Sequence, residues 1–224
     1  LATDGANVIA HYGSGAEEAK QLVSQIESAG GRASAVQADL ASANGPFELI
    51  ERVAQQLGSK TLDILVNNAG LAPYASTADM SAAEFDTLAH VNMRSVFFVT
   101  QRALPLLADG GNIVNLSSIV ARTAFPGIPA YSATKGFIDV LTLHWAQEFA
   151  PRQIRVNAVA PGAIDTRMSA WMHGPGGAET LKAIQALPGL GQPEHIAGVV
   201  AFLVGPDGAW TTGQVIDASG GTKL

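Results

Sequence analysis

The chain contains no cysteine, which excludes a disulfide framework, a thiolate metal site and a cysteine nucleophile. Charged residues are also scarce: they make up 14% of the 224 residues, against roughly 25% in an average soluble domain. Acidic residues outnumber basic ones by 19 to 13, which gives a formal net charge of -6. We therefore expect neither nucleic acid nor a membrane surface as a partner, because both are bound through clustered basic side chains.

Long apolar runs are missing as well. The longest, residues 197–204, ends at Gly205-Pro206 and is far shorter than the ~18 residues of a membrane span. The five histidines lack the spacing of metal ligands, so no metal site is predicted. Apolar residues nevertheless form 47% of the chain, enough for a large core. The absence of cysteine fits a reducing compartment, and we expect a cytoplasmic protein.

Strand-like runs alternate with helical patterns along the whole chain. The predicted strands are residues 7–10, 33–37, 62–66, 112–116, 154–159 and 215–216, and the predicted helices are residues 16–29, 46–57, 81–104, 132–149, 180–186 and 193–204. This alternation predicts an α/β fold of Rossmann-like type, a doubly wound parallel sheet with helices on both faces in three layers. Since the sequence has no charge-rich linker or repeat, we expect residues 1–224 to form one domain.

Residues 168–191 differ from the rest because they are rich in Gly, Ala, Met and Trp. They lie between a predicted strand and a predicted helix, where a mobile lid over a binding site is often found. Met168, Trp171 and Met172 are the candidate substrate-contacting residues of this lid.

Small or hydrogen-bonding residues follow three of the predicted strands. Asn67-Asn68-Ala69-Gly70 follows the third strand, Ser117-Ser118 the fourth, and Pro161-Gly162 the fifth. Ligands of open parallel sheets bind at the carboxyl ends of the strands. The sequence therefore predicts a ligand site at these three strand ends.

Tyr131 and Lys135 are four residues apart in a predicted helix, so they share one face. A free tyrosine, with a pKa of about 10, transfers protons poorly at neutral pH. A neighbouring ammonium favours the phenolate, so we expect Lys135 to lower the pKa of Tyr131 and make it useful for proton transfer. Ser118 precedes Tyr131 by thirteen residues and can meet it from the neighbouring strand.

Together, the Asn67–Gly70 element, the set of Ser118, Tyr131 and Lys135, and Pro161-Gly162 resemble the short-chain dehydrogenase/reductase family over essentially the whole chain. The resemblance implies an oxidoreductase that interconverts a carbonyl and a secondary alcohol by hydride transfer. It implies that Tyr131 is the acid/base, that Ser118 stabilises the carbonyl oxygen and that Lys135 binds the nicotinamide ribose. Asn92 matches the fourth catalytic residue of the family, which would order a water behind Lys135.

The resemblance also implies a set of cofactor-binding residues. These are Tyr12, Ser14, Asp39, Leu40, Asn68, Ala69, Gly70, Tyr131, Lys135, Pro161, Gly162, Ile164 and Thr166. Residues 11–14 lack the acid with which NAD enzymes bind the ribose 2′-hydroxyl, which favours NADP(H) over NAD(H). The arginine of many NADP-preferring relatives is missing there too. The family's glycine-rich pyrophosphate turn is not in the sequence, and we expect it, with the first strand, in about 20 residues upstream of Leu1.

Two other functions stay open. One is reduction of 3-oxoacyl groups on acyl carrier protein, although such enzymes usually carry an Arg-Asp pair where this chain has the uncharged residues 71–75. The other is a non-catalytic nucleotide-binding sensor or scaffold, which only the missing glycine-rich turn favours. Residues 217–221 resemble the family's subunit-interface segment, so the resemblance implies a homotetramer or homodimer that acts on a small molecule.

Overall fold

The structure is a computed structural model that describes residues 1–223, apart from the side chain of Trp171. Strands and helices alternate from the first element to the last, as the sequence predicts. In chain order the elements are β1 (Asn7–Tyr12), α1 (Ala16–Ser28), β2 (Arg32–Gln37), α2 (Gly45–Leu57), β3 (Leu62–Asn67), α3 (Ala82–Ala89), α4 (Ser95–Ala103), β4 (Leu107–Leu116), α5 (Pro129–Glu148), β5 (Arg155–Pro161), α6 (Gly177–Ile184), α7 (Pro193–Val204) and β6 (Val215–Ala218).

The chain divides into two compact units. The first unit comprises Leu1–Leu62 and Arg94–Leu107, and the second unit comprises Asp63–Met93 and Ala108–Leu224. The strands form a two-stranded sheet, in the order β1-β2, and a four-stranded sheet, in the order β3-β4-β5-β6. Parallel strands with flanking helices confirm the predicted α/β class. That residues 1–224 make one domain stays a prediction.

In the first unit, β1 runs parallel to β2, in a register from Asn7 opposite Arg32 to Tyr12 opposite Gln37. Helix α1 connects the two strands, and α2 packs against α4. Between these two helices the guanidinium of Arg94 lies 4.9 Å from the ring centroid of Phe98.

In the second unit, β5 pairs in parallel with both β4 and β6. The middle of this sheet is the core: Ile113, Val156 and Val159 have no exposed surface. Strands covered on both faces are apolar throughout, which is why these segments could be identified from the sequence.

Two elements differ from their predicted form. Strand β4 begins at Leu107, five residues before the predicted start, because Asp109, Gly110 and Gly111 lie inside the strand, with Gly110 at a φ of +79°. The helix predicted over residues 81–104 is divided into α3 and α4 by a π-helical turn, His90–Arg94. Ser81 and Glu84 do form the predicted capping box at its start.

No helix within residues 1–223 is long and apolar enough to cross a membrane.

Candidate active site

The end of β4 is held against α5 by contacts at three successive residues, the last residue of the strand and the two that follow it. Lys135 donates its Nζ proton to the carbonyl oxygen of Leu116 at 2.7 Å. Ser117 donates its hydroxyl proton to the carboxylate of Asp139. Ser118 forms a side-chain hydrogen bond with Tyr131. The strand end is therefore matched to one face of the helix, and Ser118, Tyr131 and Lys135 come together as the sequence predicts.

The Lys135 side chain lies beside the ring of Tyr131, one helical turn away, and its Nζ is 5.6 Å from the ring centroid. Lys135 is buried, and the loss of hydration lowers the pKa of its ammonium to about 8. The carboxylate of Asp139 opposes this shift.

The expected lowering of the pKa of Tyr131 by Lys135 is wrong in this structure. Burial raises the pKa of the Tyr131 phenol, and the hydrogen bond with Ser118 only partly offsets that increase. The ammonium of Lys135 is directed to the Leu116 carbonyl, and the phenol is too well shielded from water for the phenolate to be favoured. Tyr131 is therefore protonated at neutral pH.

The Asn92 side chain is buried in the π-helical turn and bridges two parts of the second unit. Its Oδ1 accepts from the backbone N–H of Leu71 at 2.8 Å, and its Nδ2 donates to the carbonyl oxygen of Leu71 at 2.8 Å and to Thr134 Oγ1 at 3.1 Å. Thr134 in turn donates to the carbonyl oxygen of Tyr131 at 2.7 Å. Asn92 thus connects the loop after β3 to α5, while its predicted water-ordering role stays a prediction.

The loop after β3 brings its backbone close to these residues. A Cβ atom built on Gly70 would lie 3.5 Å from Asn92 Oδ1 and 3.8 Å from Lys135 Nζ. Asn67 faces the sheet instead and donates to the buried Asn115 at 2.9 Å. Asn68 is exposed beside the half-buried Ala69, so its side chain is accessible to a ligand.

The segment after β5 also lies at this strand end. The carbonyl oxygen of Pro161 is 3.4 Å from the hydroxyl of Ser118. Gly162 fits closely against the C-terminal segment, since a Cβ there would lie 2.7 Å from the carbonyl oxygen of Ser219. Ile164 forms an isolated β-bridge with Gly191, while the exposed Thr166 has its hydroxyl 3.4 Å from the Ile164 carbonyl oxygen.

The predicted lid contains a 3₁₀-helical segment, Arg167–His173, and α6. His173 Nε2 lies 2.8 Å from the carboxylate of Asp165, which joins this segment to the loop after β5. Met168 is exposed and Met172 is half-buried, while the side chain of Trp171 lies outside the described residues. That these residues contact substrate, and that the segment moves, stay predictions.

The remaining candidate ligands belong to the first unit and lie after its two strands. Tyr12 is half-buried at the end of β1, and Ser14 is exposed. Asp39 is exposed and accepts from the backbone N–H of Ala41 at 3.0 Å, whereas Leu40 is buried. Glu18 in the first turn of α1 lies close to the loop after β1: a Cβ built on Gly15 would lie 3.2 Å from the Glu18 Oε2.

The strand ends of the second unit fit the nicotinamide riboside part of a dinucleotide cofactor. These strand ends carry hydroxyl, ammonium and amide donors at Tyr131, Lys135 and Asn68, and a Cβ at Gly70 would come within 3.8 Å of Lys135 Nζ. Ribose hydroxyls need such neutral and cationic donors. No group of three or more His, Cys, Asp or Glu side chains in residues 1–223 is placed to hold a metal ion.

Three further residues contribute to this site beyond the predicted catalytic and binding residues. Asp139 follows Lys135 by one helical turn on the same face, a spacing that could have identified it. Ser117 and Thr134 are serine and threonine residues with ordinary local surroundings, and only the fold shows which side chains they bind.

Comparison with known proteins agrees with this geometry. The family model described as enoyl-(acyl carrier protein) reductase matches residues 1–223. The chain belongs to the short-chain dehydrogenase/reductase family. An oxidoreductase of Methylorubrum extorquens is 41% identical over 226 residues, which cover all of this chain and 90% of the relative. The 3-oxoacyl-[acyl-carrier-protein] reductase of Thermotoga maritima is 37% identical, with the same coverage.

Among solved structures, an angucycline C-6 ketoreductase with bound NADP is 40% identical, with a TM-score of 0.92 over 98% of this chain and 87% of the ketoreductase. As a member of the short-chain dehydrogenase/reductase family, the chain is an oxidoreductase that acts on a carbonyl or alcohol carbon.

Proposed function

We propose that the protein is an NADP(H)-dependent ketoreductase in which Tyr131 is the proton donor. The observation that carries the proposal is the hydrogen bond between Ser118 and the half-buried Tyr131, with the Lys135 ammonium beside the same ring. A non-catalytic module has no need to bury a lysine against a tyrosine, because burying a charge costs stability.

The cofactor, when bound, supplies the hydride. The Ser118 hydroxyl donates a hydrogen bond to the carbonyl oxygen of the substrate and stabilises the negative charge that grows there. Tyr131 gives its proton to the same oxygen: the phenol is protonated at neutral pH, and the Lys135 ammonium beside the ring stabilises the phenolate that forms, which offsets the weaker acidity that burial causes. Lys135 holds the ribose hydroxyls through its ammonium, and Gly70 leaves room for them.

A preference for NADP(H) is supported by two observations. Residues 11–14 carry no acidic side chain to receive a ribose 2′-hydroxyl. The angucycline ketoreductase was solved with NADP. The nearby Glu18 carboxylate is the feature of the first unit that works against a 2′-phosphate.

We propose an apolar ketone with an aromatic ring as the substrate. The Tyr74 ring is 79% exposed and lies flat against Gly127, four residues before Tyr131. It offers an aromatic surface beside the start of the catalytic helix, and aromatic rings favour offset stacking. The angucycline specificity of the 40% identical ketoreductase supports the same class.

The competing activity is reduction of 3-oxoacyl groups on acyl carrier protein, which the 37% identical reductase of Thermotoga maritima favours. A binding-only sensor or scaffold is the remaining alternative. A homotetrameric or homodimeric assembly and a cytoplasmic location stay predictions.

The deciding experiment measures oxidation of NADPH and of NADH with aromatic ketones, aliphatic ketones and 3-oxoacyl thioesters. We expect the highest kcat/KM with NADPH and a fused-ring ketone. A thioester as the fastest substrate would establish the acyl carrier protein activity instead. NADPH binding without turnover of any carbonyl compound would support the sensor or scaffold.

A further inference from the structure

Asp139 occupies the third position on the face of α5 that carries Tyr131 and Lys135, at a spacing of four residues each. It is half-buried, and its Oδ1 accepts the hydroxyl proton of the buried Ser117. The Ser117 hydroxyl is also 3.4 Å from the carbonyl oxygen of Lys135. Asp139 therefore binds Ser117. This residue lies between Leu116, which Lys135 contacts, and Ser118, which Tyr131 contacts.

The charges around Asp139 are few. The ammonium of Lys135 comes from the same helix, and the guanidinium of the exposed Arg122 comes from the segment before it. Both cations favour the ionised carboxylate, as does the hydrogen bond from Ser117. The carboxylate of Asp139 also acts to raise the pKa of the buried Lys135.

We propose that Asp139 is a positioning residue of the active site: its carboxylate fixes the segment after β4 against α5 through Ser117, and its negative charge stands one helical turn from the Lys135 ammonium. The proposal rests on the proposed function, since it gives Lys135 and Ser118 their catalytic tasks.

The balance of burial and charge supports this role. Burial lowers the pKa of Lys135 to about 8, close enough to neutral pH that the ammonium is easily lost, and Asp139 opposes that shift. Burial also raises the pKa of Asp139 itself. Stability alone does not favour a half-buried carboxylate at this position, because burial costs the carboxylate its hydration and an apolar side chain would not have that cost.

The test compares Asp139→Asn, which keeps an oxygen for the Ser117 hydroxyl but removes the charge, with Ser117→Ala, which keeps the charge but removes the hydrogen bond. The ketone reduction assay is run on the full chain across pH 6–10 (about the range in which these groups titrate), with NADPH affinity measured by fluorescence at each pH. Asp139→Glu is the conservative rescue. Glu148→Gln, an exposed charge removal on the same helix, is the matched control.

With Asp139→Asn, we expect the loss of kcat/KM and of NADPH affinity at alkaline pH to begin about one pH unit lower than in the parent, since an opposite charge nearby shifts a pKa by about 1–3 units. Asp139→Glu restores the pH at which the parent loses activity on the alkaline side (the alkaline limb of the pH profile), and Glu148→Gln leaves this limb unchanged. Ser117→Ala lowers kcat about tenfold at every pH without moving the limb, because displacement of a catalytic group costs rate.

An alkaline limb in Asp139→Asn that coincides with the parent limb would overturn the charge role, and an unchanged kcat in Ser117→Ala would overturn the positioning role. If Asp139→Asn does not fold, Asp139→Glu and Ser117→Ala still decide, since parent-like kcat in Ser117→Ala contradicts the proposal. Failure of the proposed function is distinguishable, because then either the parent would reduce no ketone or Tyr131→Phe would keep the parent turnover.

Discussion

The buried polar side chains around the candidate site of the second unit contrast with the exposed strand-end loops of the first unit. In the second unit, Asn92, Asn115 and Lys135 are buried, and each has a specified hydrogen-bond partner. In the first unit, the predicted cofactor ligands Ser14 and Asp39 are exposed. Buried polar groups are costly unless they are paired, so the fold itself constrains the side chains of Asn92, Asn115 and Lys135. The exposed loops are under no such constraint, so cofactor preference can change without loss of the fold.

The strongest test of this contrast is Lys135→Met. We expect turnover to fall by about 10²–10⁴-fold, the range of general acid–base contributions. Stability should not fall with it, because the variant removes a buried ammonium. Near pH 7 we expect the free energy of unfolding in urea to be about 1–3 kcal/mol higher than in the parent, reduced by the contribution of the lost hydrogen bond to Leu116.

The sign of the pH effect on Lys135 follows from its lowered pKa. Its contribution to stability is present above 10.5, the ordinary value, and is lost as the pH falls through about 8. The parent should therefore approach Lys135→Met in stability between these pH values. A variant that is equally destabilised at pH 7 and pH 10 would contradict the account.

Asn92→Ala tests the same unit through stability. The substitution leaves the backbone groups of Leu71 without the Asn92 side chain as a partner, and it opens a cavity at a buried position. We expect the free energy of unfolding to fall by about 2–4 kcal/mol, which denaturant titration measures. A loss below about 0.5 kcal/mol, the usual effect of a surface substitution, would show that the bridge is unimportant.

Ser14→Asp tests the exposed loop of the first unit. A carboxylate there receives a ribose 2′-hydroxyl and repels a 2′-phosphate, so we expect the ratio of kcat/KM for NADPH to that for NADH to fall about tenfold or more. The melting temperature should stay near that of the parent, because Ser14 is exposed. An unchanged cofactor ratio would remove Ser14 from the cofactor site.

Gly127→Ala has the smallest expected effect. It tests the contact between Gly127 and the Tyr74 ring, which is exposed although it belongs to the second unit. Gly127 has a φ of +81°, and a Cβ there would lie 2.3 Å from the Tyr74 ring, so the ring must move. We expect KM for an aromatic ketone to rise by about threefold to tenfold, since one contact is worth about 1 kcal/mol. KM for an aliphatic ketone serves as the control, and an equal rise in both would contradict stacking.

The sequence was sufficient for the fold class and for bringing Ser118, Tyr131 and Lys135 together, because apolar strands and an i, i+4 spacing are local patterns. It could not give the direction of the Tyr131 pKa, which depends on burial and on where the Lys135 ammonium points. The π-helical turn at His90–Arg94 was equally hidden, since its residues continue an ordinary helical pattern. The i, i+4 spacing places Asp139 on the face of Lys135, but its contact with Ser117 is visible only in the folded structure.

The most direct test of the central claim measures ketone reduction and NADPH affinity in the same preparation of Tyr131→Phe. The variant keeps the aromatic ring and removes only the hydroxyl that meets Ser118. The account predicts that reduction falls by about 10³-fold or more while the NADPH dissociation constant changes by less than about threefold. Turnover near the parent rate with intact NADPH binding would contradict it.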